Sequence, residues 1–151
     1  MTTLKFAKTR EVKTPTRGTP GSAGIDFFVP NDFNNGLPLD IRPGAACKIP
    51  SGIKANVPDG YALVAFNKSG VALKKNLVVG ASVVDSDYQG EIHLHVINVG
   101  SHSVPISSGE KLTQFLLLPV DHCAVEEVPE GELFSVETQR GSGGFGSTGV
   151  A

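Results

Sequence analysis

The residues best suited to catalysis lie in a short polar turn, Asp85–Gly90 (DSDYQG), between two apolar segments rich in β-branched residues. Aspartate, serine and glycine are typical of turns, because short polar side chains hydrogen-bond back to the main chain and glycine tolerates positive φ. An Asn-Gly pair would be enough to connect two strands, so a second carboxylate and Tyr88 exceed what a turn needs. A carboxylate can orient and deprotonate water. The segment Leu77–Asn98 therefore predicts a β-hairpin whose turn is either functional or purely structural.

Four other segments rich in glycine or charge accompany this turn. They are Thr19–Asp26 (TPGSAGID), Asn67–Gly70 (NKSG), Gly109–Gln114 (GEKLTQ) and the tail Arg140–Gly149 (RGSGGFGSTG). The tail has the glycine spacing of a P-loop, but Ser147 stands where a P-loop requires lysine. Glycine-rich backbone can still surround oxyanions with its N–H groups, and arginine can bind phosphate through two parallel hydrogen bonds. The tail thus predicts a phosphate-binding segment that is not a P-loop.

Taken in order, these five segments closely resemble the trimeric deoxyuridine triphosphatases (dUTP pyrophosphatases), and the resemblance covers most of the chain. It implies an enzyme that hydrolyses dUTP to dUMP and pyrophosphate by attack of water on the α-phosphate, which lowers dUTP and supplies dUMP for thymidylate synthesis. It also implies a homotrimer whose sites are shared between subunits. The implied cofactor is Mg²⁺, held by the triphosphate through water with no direct protein ligand.

By this resemblance, Asp85 orients and deprotonates the attacking water in line with the α-phosphorus, a role that requires a carboxylate within hydrogen-bond reach. Strand alternation points Asp87 to the other side, where we expect it to brace the turn. The ring of Tyr88 would lie against the deoxyribose and leave no room for a 2′-hydroxyl. Ribonucleotides would therefore be rejected sterically.

The uracil site is predicted between the two arms of the hairpin. We expect Val84 to pair with Glu91 across the turn, so that Ser82 faces His93. A base inserted there would meet main-chain groups of Ser82, Val83 and His93, and such fixed groups discriminate strongly because a wrong base leaves them unpaired. The family commonly carries glycine at position 82, so the serine in this chain is expected to narrow the pocket or to shift a backbone angle.

The phosphate contacts that the resemblance implies begin at a turn formed by Lys68, Ser69 and Gly70. The family usually has arginine at the first of these positions, and lysine keeps the charge without the two-pronged geometry. Gln114 is expected to reach the phosphates, while Asp26 is expected to support Lys111. These assignments place positive charge and hydrogen-bond donors around the triphosphate.

The tail is expected to close over the bound nucleotide. By the same resemblance, Arg140 would hold the terminal phosphate and Phe145 would stack on the uracil ring. Gly146 is also assigned to substrate binding. An unattached flexible terminus is the alternative interpretation of this composition.

The residues leave three further alternatives. His93 and His95 form an H-x-H pair that could ligate zinc, although no cysteine or carboxylate at matching spacing completes such a site. A dCTP deaminase-like enzyme would share the fold, but the DSDYQG turn and the phenylalanine-containing tail favour dUTP hydrolysis. A nucleotide-sensing regulatory protein is the third alternative, and Asp85 argues against an inactive relative without opposing an additional role.

Composition restricts the class of protein. The 151 residues fit one domain with its own core, and the formal charge of −2 lacks the basic surface typical of proteins that bind nucleic acid or an anionic membrane. No apolar run approaches the roughly 18 residues of a membrane span. Cys47 and Cys123 stand at no metal-ligand spacing, and the N-terminal segment lacks a signal-peptide pattern. These features predict a cytoplasmic protein with free thiols.

Glycine and proline recur along the chain and no segment keeps a 3.6-residue periodicity, so we predict an all-β, single-domain jelly roll or distorted β-barrel. The barrel is expected in residues 1–135, and a flexible glycine-rich tail in residues 136–151. One helical turn is predicted near Ser69–Lys74, and Asn31–Leu39 is predicted as a surface loop. Besides the hairpin arms, the predicted strands are Leu4–Ala7, Gly24–Val29, Ala45–Ile49, Gly52–Val57, Tyr61–Phe66, Val104–Ile106, Lys111–Leu118 and Ala124–Val128.

Overall fold

A computed structural model of the chain describes residues 2–144. Their strands are β1 (Lys5–Lys8), β2 (Ile25–Phe28), β3 (Leu39–Ile41), β4 (Ala46–Pro50), β5 (Ile53–Asn56), β6 (Tyr61–Asn67), β7 (Leu77–Val79), β8 (Val83–Val84), β9 (His93–Asn98), β10 (Val104–Ile106) and β11 (Lys111–Pro119). The helix α1 (Ser69–Lys75) and the 3-10 turns Phe33–Gly36 and Glu130–Glu132 complete their regular structure. The all-β class is confirmed, and the helical turn lies where the sequence predicts it.

Two antiparallel sheets carry most of the compact unit Met1–Asp121. One has the strand order β2-β11-β6-β8 and the other has the order β4-β9-β7. Along β9 the side chains alternate between buried and partly exposed, which is the period of two that a strand with one core-facing side requires. Apolar side chains from both sheets meet in one core, including Phe27, Leu63 and Phe115 from the first sheet and Ile49, Leu94 and Val96 from the second. Two smaller pairs, β1-β5 and β10-β3, complete the unit.

The predicted hairpin between the two arms of Leu77–Asn98 is wrong in its pairing. The first arm is divided, and only β7 pairs with β9, with Val79 opposite Val96. Strand β8 instead pairs with β6, with Val83 opposite Val64 and Val84 opposite Leu63. Since the other edge of β6 already pairs with β11, β8 extends that sheet, and the chain passes from one sheet to the other between β7 and β8.

One local prediction is confirmed with an addition and another is corrected. Residues 31–38 form the predicted loop, and the unpredicted strand β3 follows it, because Leu39–Ile41 pairs with β10 and buries Ile41. Within residues 2–144, the predicted strand Ala124–Val128 has no strand partner, and Val125 is 97% exposed. Its apolar residues favour a strand locally, but a strand also needs a neighbour that supplies hydrogen bonds.

The structure separates a second unit, His122–Ala151, from the unit Met1–Asp121. Its described part contains the 3-10 turn Glu130–Glu132 and has exposed side chains from residue 122 to residue 142. The predicted division between residues 135 and 136, and the flexibility of the tail, stay predictions. Among residues 2–144, no helix has the length and apolar character needed to cross a membrane.

Candidate functional site

A cavity of about 350 Å³ opens between β8 and β9. The β7-β9 ladder ends where the N–H of Gly80 donates to the carbonyl of His95 at 3.0 Å. The chain then bends away, and the N–H of Ala65 in β6 donates to the carbonyl of Ser82 at 2.7 Å. The cavity is the space left between the diverging strands. Its walls are formed by Lys48, Ala81, Ser82, Val83, Val84, Asp85, Tyr88, Ile92, His93, His95 and Phe115.

Main-chain groups on both sides face this cavity. Since the carbonyl of Ser82 accepts a hydrogen bond from β6, the alternation of an antiparallel ladder directs the N–H and C=O of Val83 away from β6. Since the carbonyl of Ile92 accepts a hydrogen bond from the segment after β4, the same alternation directs the main-chain groups of His93 away from β4. The cavity therefore offers donors and acceptors at fixed positions on opposite walls.

The cavity brings together the residues of the predicted hairpin that were expected to contact the base, the sugar or the attacking water, namely Ser82, Val83, Val84, Asp85, Tyr88 and His93. The sequence predicted that these residues meet because Val84 would pair with Glu91. That pairing is wrong. Because Val84 pairs with Leu63 of β6, the two arms enclose the cavity as members of different sheets. The arms contribute the expected residues although they do not form the expected hairpin.

The turn that carries Asp85 is braced by tyrosine. The N–H of Tyr88 donates to the carbonyl of Asp85 at 3.2 Å, and its hydroxyl donates to the carbonyl of Glu91 at 2.9 Å. Within residues 2–144, the Asp87 carboxylate makes neither a hydrogen bond nor an ion pair, so its expected bracing of the turn stays a prediction. The Asp85 carboxylate is likewise without a partner in this part of the chain, and it lies exposed at the cavity.

Glu91 anchors the end of this turn to two distant segments. Its carboxylate accepts two hydrogen bonds from Arg10, both at 3.1 Å, and one from the N–H of Gly52 at 2.6 Å. Burial alone would raise the pKa of the Glu91 carboxyl, but the hydrogen bonds from Arg10 and Gly52 outweigh burial and lower that pKa. Sequence reasoning missed Arg10, because it lies 81 residues from Glu91 and belongs to none of the recognisable motifs.

Asp26 joins two of the predicted phosphate-side lysines in a lysine cluster that consists of Asp26, Lys68 and Lys111. Its carboxylate forms ion pairs with the ammonium groups of Lys68 and, at 3.1 Å, of Lys111. The expected support of Lys111 is therefore present, and Lys68 shares the same carboxylate. Burial would raise the pKa of Asp26, whose side chain is 6% exposed, but the hydrogen bonds and charges of the two lysines lower it.

Gln114 lies close to this cluster in β11. Its side-chain amide donates to the carbonyl of Asn67 at 2.9 Å. A Cβ atom added to Gly24 would lie 2.1 Å from the side-chain oxygen of Gln114, so only glycine leaves room for this side chain. Gly24 thus allows its segment to approach the Gln114 side chain of β11 closely. Gln114 is held by the main chain of Asn67, and its predicted contact with phosphate stays a prediction.

The remaining predicted phosphate residues lie in two places. Ser69 and Gly70 begin α1 and are exposed, directly after Lys68. Arg140 belongs to the unit His122–Ala151, where its carbonyl accepts a hydrogen bond from the N–H of Gly143 at 3.0 Å. Phe145 and Gly146 lie outside the described residues, so their predicted contacts with the substrate stay predictions.

The geometry gives the zinc alternative no support in the described part of the chain. Nδ1 of His95 accepts the N–H of Ala81 at 2.7 Å, so this nitrogen is already used. Among residues 2–144, no three histidine, cysteine, aspartate or glutamate side chains are grouped so that they could hold a metal ion.

The fold and the site together define an all-β protein that has a cavity between two sheets, an exposed carboxylate at that cavity and a pair of lysines on one buried aspartate. The family model described as dUTPase matches residues 10–149. The chain is 40% identical over 139 residues to the deoxyuridine 5′-triphosphate nucleotidohydrolase of Chlamydia pneumoniae, covering 91% of each protein. The chain belongs to the dUTPase family.

Solved structures share its fold. The Staphylococcus bacteriophage 80alpha dUTPase with dUPNHPP superposes with a TM-score of 0.85 at 22% identity, covering 99% of this chain and 100% of that one. A mutant dUTPase from phage phi11 of S. aureus, described as revealing the coordination of a structural Mg(II) ion, has a TM-score of 0.74 at 20% identity and covers 85% of this chain and 98% of its own.

Proposed function

We propose that the chain hydrolyses dUTP to dUMP and pyrophosphate. The observation that carries this proposal is the cavity in which main-chain groups of Val83 and His93 face one another beside the exposed carboxylate of Asp85. Uracil offers a carbonyl, an N–H and a second carbonyl along one edge, and fixed main-chain donors and acceptors can match that order. Family membership supports the same substrate.

In the proposed reaction, Asp85 accepts a proton from a water molecule as that water attacks the α-phosphorus. A new bond forms between the water oxygen and the α-phosphorus, and the bond to the bridging oxygen breaks, so that pyrophosphate leaves. A positioned carboxylate typically contributes about a hundredfold or more to such a step. Tyr88, held by its hydrogen bond to the carbonyl of Glu91, would lie against the deoxyribose and exclude a 2′-hydroxyl.

The triphosphate needs positive charge, and the lysine cluster supplies part of it. The side chain of Lys111 is 48% exposed and is the more exposed of the two lysine side chains that share Asp26. Ser69, Gly70 and Gln114 would add hydrogen bonds, and Arg140 and Phe145 would add the tail contacts that the family resemblance implies.

Mg²⁺ is proposed as the cofactor, held by the triphosphate through water. Magnesium keeps several water ligands and commonly binds through substrate phosphates rather than through a protein cage. This mode of binding needs no group of three metal-ligating side chains, and residues 2–144 contain none. The ion would offset the charge of the phosphates. Asp85 would then hold and deprotonate the attacking water.

Product analysis tests the chemistry. We expect purified protein with Mg²⁺ to convert dUTP to dUMP and pyrophosphate, and to leave dCTP, dTTP and UTP nearly unchanged. In water labelled with heavy oxygen, the label should enter dUMP, because attack is at the α-phosphorus. Label in pyrophosphate would place the attack elsewhere, and release of ammonia from dCTP would favour the deaminase alternative.

A homotrimer with shared sites is proposed from the family resemblance. Two inactive variants test it, namely Asp85→Asn and a truncation after Thr138 that removes Arg140 and Phe145. If the tail of one subunit completes the cavity of another, co-expression of both variants should restore activity at roughly a quarter of the sites in evenly mixed rings. Mass measurement of the mixed trimers is the control. Mixed trimers without activity would refute the shared site.

A cytoplasmic role in lowering dUTP and supplying dUMP for thymidylate synthesis completes the proposal. Its structural support is that Cys47 and Cys123 are both free thiols, which is typical of a reducing compartment. Measurement of the dUTP pool in cells with and without an active copy of the chain would test this role.

A further inference from the structure

His95 marks the point at which β7 stops following β9. The N–H of Gly80 makes the last main-chain hydrogen bond of the ladder, to the carbonyl of His95. The next N–H, that of Ala81, donates to Nδ1 of the same histidine at 2.7 Å. A side chain of β9 therefore takes over as acceptor just where the first chain leaves the sheet.

The histidine is also fitted to the bend sterically. A Cβ atom added to Gly80 would lie 2.2 Å from Nδ1 and 2.5 Å from Cε1 of His95, so the imidazole packs directly on the glycine. Because Nδ1 accepts an N–H, it carries no proton in this arrangement, and the ring proton resides on Nε2. The bend is thus fixed by a directed hydrogen bond and by a tight contact.

The register of the β7-β9 ladder shows what this bend prevents. Val79 stands opposite Val96 and Gly80 opposite His95. Continued in the same register, the ladder would bring Ser82 opposite His93 as its next hydrogen-bonded pair, since such pairs alternate in antiparallel strands. That pairing would use the main-chain groups of His93 that face the cavity, and it would close the space between the strands.

We infer that His95 is a positioning residue for base recognition, which holds Ala81 at the bend and thereby fixes the separation between the main-chain groups of Val83 and His93. The inference rests on the proposed function, because it assigns the cavity to the base of dUTP. It gives His95 a role that the family resemblance does not assign to this side chain. His95 acts through Ala81 and is not assigned a contact with the reacting atoms.

A set of substitutions separates the hydrogen bond from the volume of the side chain. His95→Leu keeps an apolar body of similar size and removes the acceptor. His95→Asn places an amide oxygen the same number of bonds from Cα as Nδ1, whereas His95→Gln places it one bond further. The matched pair differs by one methylene and by the position of the acceptor.

We expect His95→Leu to raise the KM for dUTP by about tenfold and to reduce the preference for dUTP over dCTP, because the groups that read the base are displaced. The kcat should change less than KM, since Asp85 and the lysine cluster are untouched. His95→Asn should recover most of both properties and His95→Gln should recover little. If the substitution only reduced stability, it would lower the fraction of folded, active protein, and the preference for dUTP over dCTP would stay the same.

Amide hydrogen exchange of Ala81, followed by NMR, gives a readout that does not depend on activity. Exchange should be slow in the natural protein and in His95→Asn, and at least about tenfold faster in His95→Leu. The inference is overturned if His95→Leu keeps the natural KM and base preference, if its Ala81 amide stays protected, or if His95→Gln matches His95→Asn. Should His95→Leu fail to fold, the Asn and Gln variants still decide the matter. Absence of dUTP hydrolysis by the natural protein would refute the proposed function instead.

Discussion

The cavity between β8 and β9 and the lysine cluster hold their functional groups by different means. In the cavity, hydrogen bonds between strands fix main-chain groups, and the Asp85 carboxylate lies exposed beside them. In the lysine cluster, the charges already satisfy one another, because the buried Asp26 binds both Lys68 and Lys111. The cavity is suited to distinguishing ligands by their shape. The lysine cluster can attract phosphate only with the positive charge that remains after Asp26 has compensated part of it.

This difference determines what a substitution should change in each region. A side chain removed from the cavity alters geometry next to solvent, so selectivity or turnover should respond before stability does. A charge removed from the cluster leaves its partners without compensation in a partly buried place, which is costly to the folded state. Four substitutions, taken from the largest expected effect to the smallest, test this contrast.

Asp85→Asn keeps the shape of the side chain and removes the base. We expect kcat for dUTP to fall by at least about a hundredfold, with dUTP binding and thermal stability largely kept. Steady-state kinetics and thermal unfolding measure these quantities. Asp87→Asn in the same turn is the matched control and should stay close to the natural protein. Near-normal turnover in Asp85→Asn would move the catalytic group out of the cavity and break the comparison.

Asp26→Asn should act mainly on stability. We expect the free energy of unfolding at neutral pH to fall by about 1–3 kcal/mol, because Lys68 and Lys111 lose the carboxylate that compensates them. Chemical denaturation measures the change. Asp32→Asn is the control, since the Asp32 side chain is 56% exposed and its ion pair with Arg10 lies at the surface. That variant should change stability by less than about 1 kcal/mol.

The pH dependence of the same pair of proteins sharpens the test. The pKa of Asp26 is lowered in the folded state by its two lysines, although burial opposes them. The carboxylate therefore contributes stability above its ordinary unfolded pKa, and this contribution is lost as the pH falls through the lowered folded pKa. The stability difference between the natural protein and Asp26→Asn should shrink on acidification. A difference that is constant with pH would show that the ion pairs are not its source.

The same contrast explains what could be predicted from the sequence. Strands β6 and β11 can be predicted because each is an apolar run bounded by turn residues, and β9 because its side chains alternate with a period of two. Both signals are local properties of the chain. The strand that pairs with β8 could not be predicted in this way. Strand β8 (Val83–Val84) is short, and it pairs with β6, from which α1 and β7 separate it in the sequence. The predicted hairpin therefore contains the residues that line the cavity, but β8 pairs with β6 and not with β9.

Sequence motifs indicated the residues that line the site, but they did not indicate the residues that hold those in position. Asp85 and Tyr88 stand in a turn whose composition is unusual in itself, so sequence alone draws attention to them. Arg10 has no such signal, and its hydrogen bonds with Glu91 join positions 81 residues apart. The role of His95 depends on a bend at Gly80 and Ala81 that only the sheet topology reveals. Supports of this kind follow from tertiary contacts.

Tyr88→Ala tests whether the cavity reads the sugar by shape. We expect the ratio of kcat/KM for UTP to that for dUTP to rise by about tenfold, because the ring is the proposed barrier to a 2′-hydroxyl. Tyr88→Phe keeps the ring but loses the donor to the carbonyl of Glu91, so its ratio should rise less. An unchanged ratio in a folded Tyr88→Ala protein would contradict the steric account. Equal changes in both variants would assign the effect to the hydrogen bond.

Lys68→Arg should have the smallest effect, because it restores the family's usual guanidinium without changing the charge. The planar guanidinium can bind the Asp26 carboxylate through two hydrogen bonds, so the lysine cluster should keep its compensation. We expect kcat/KM for dUTP in the presence of Mg²⁺ to stay within about threefold of the natural value.

Lys68→Met is the matched control, since it keeps an unbranched apolar stem and removes the charge. It should weaken both stability and kcat/KM more than Lys68→Arg does, because the Asp26 carboxylate loses one of its two ion pairs seen in residues 2–144 and keeps the one with Lys111. If Lys68→Arg loses as much activity as Lys68→Met, charge alone does not explain the role of this position. The contacts around Lys68 would then depend on the compact ammonium group, and the lysine cluster would resemble the cavity in being governed by geometry.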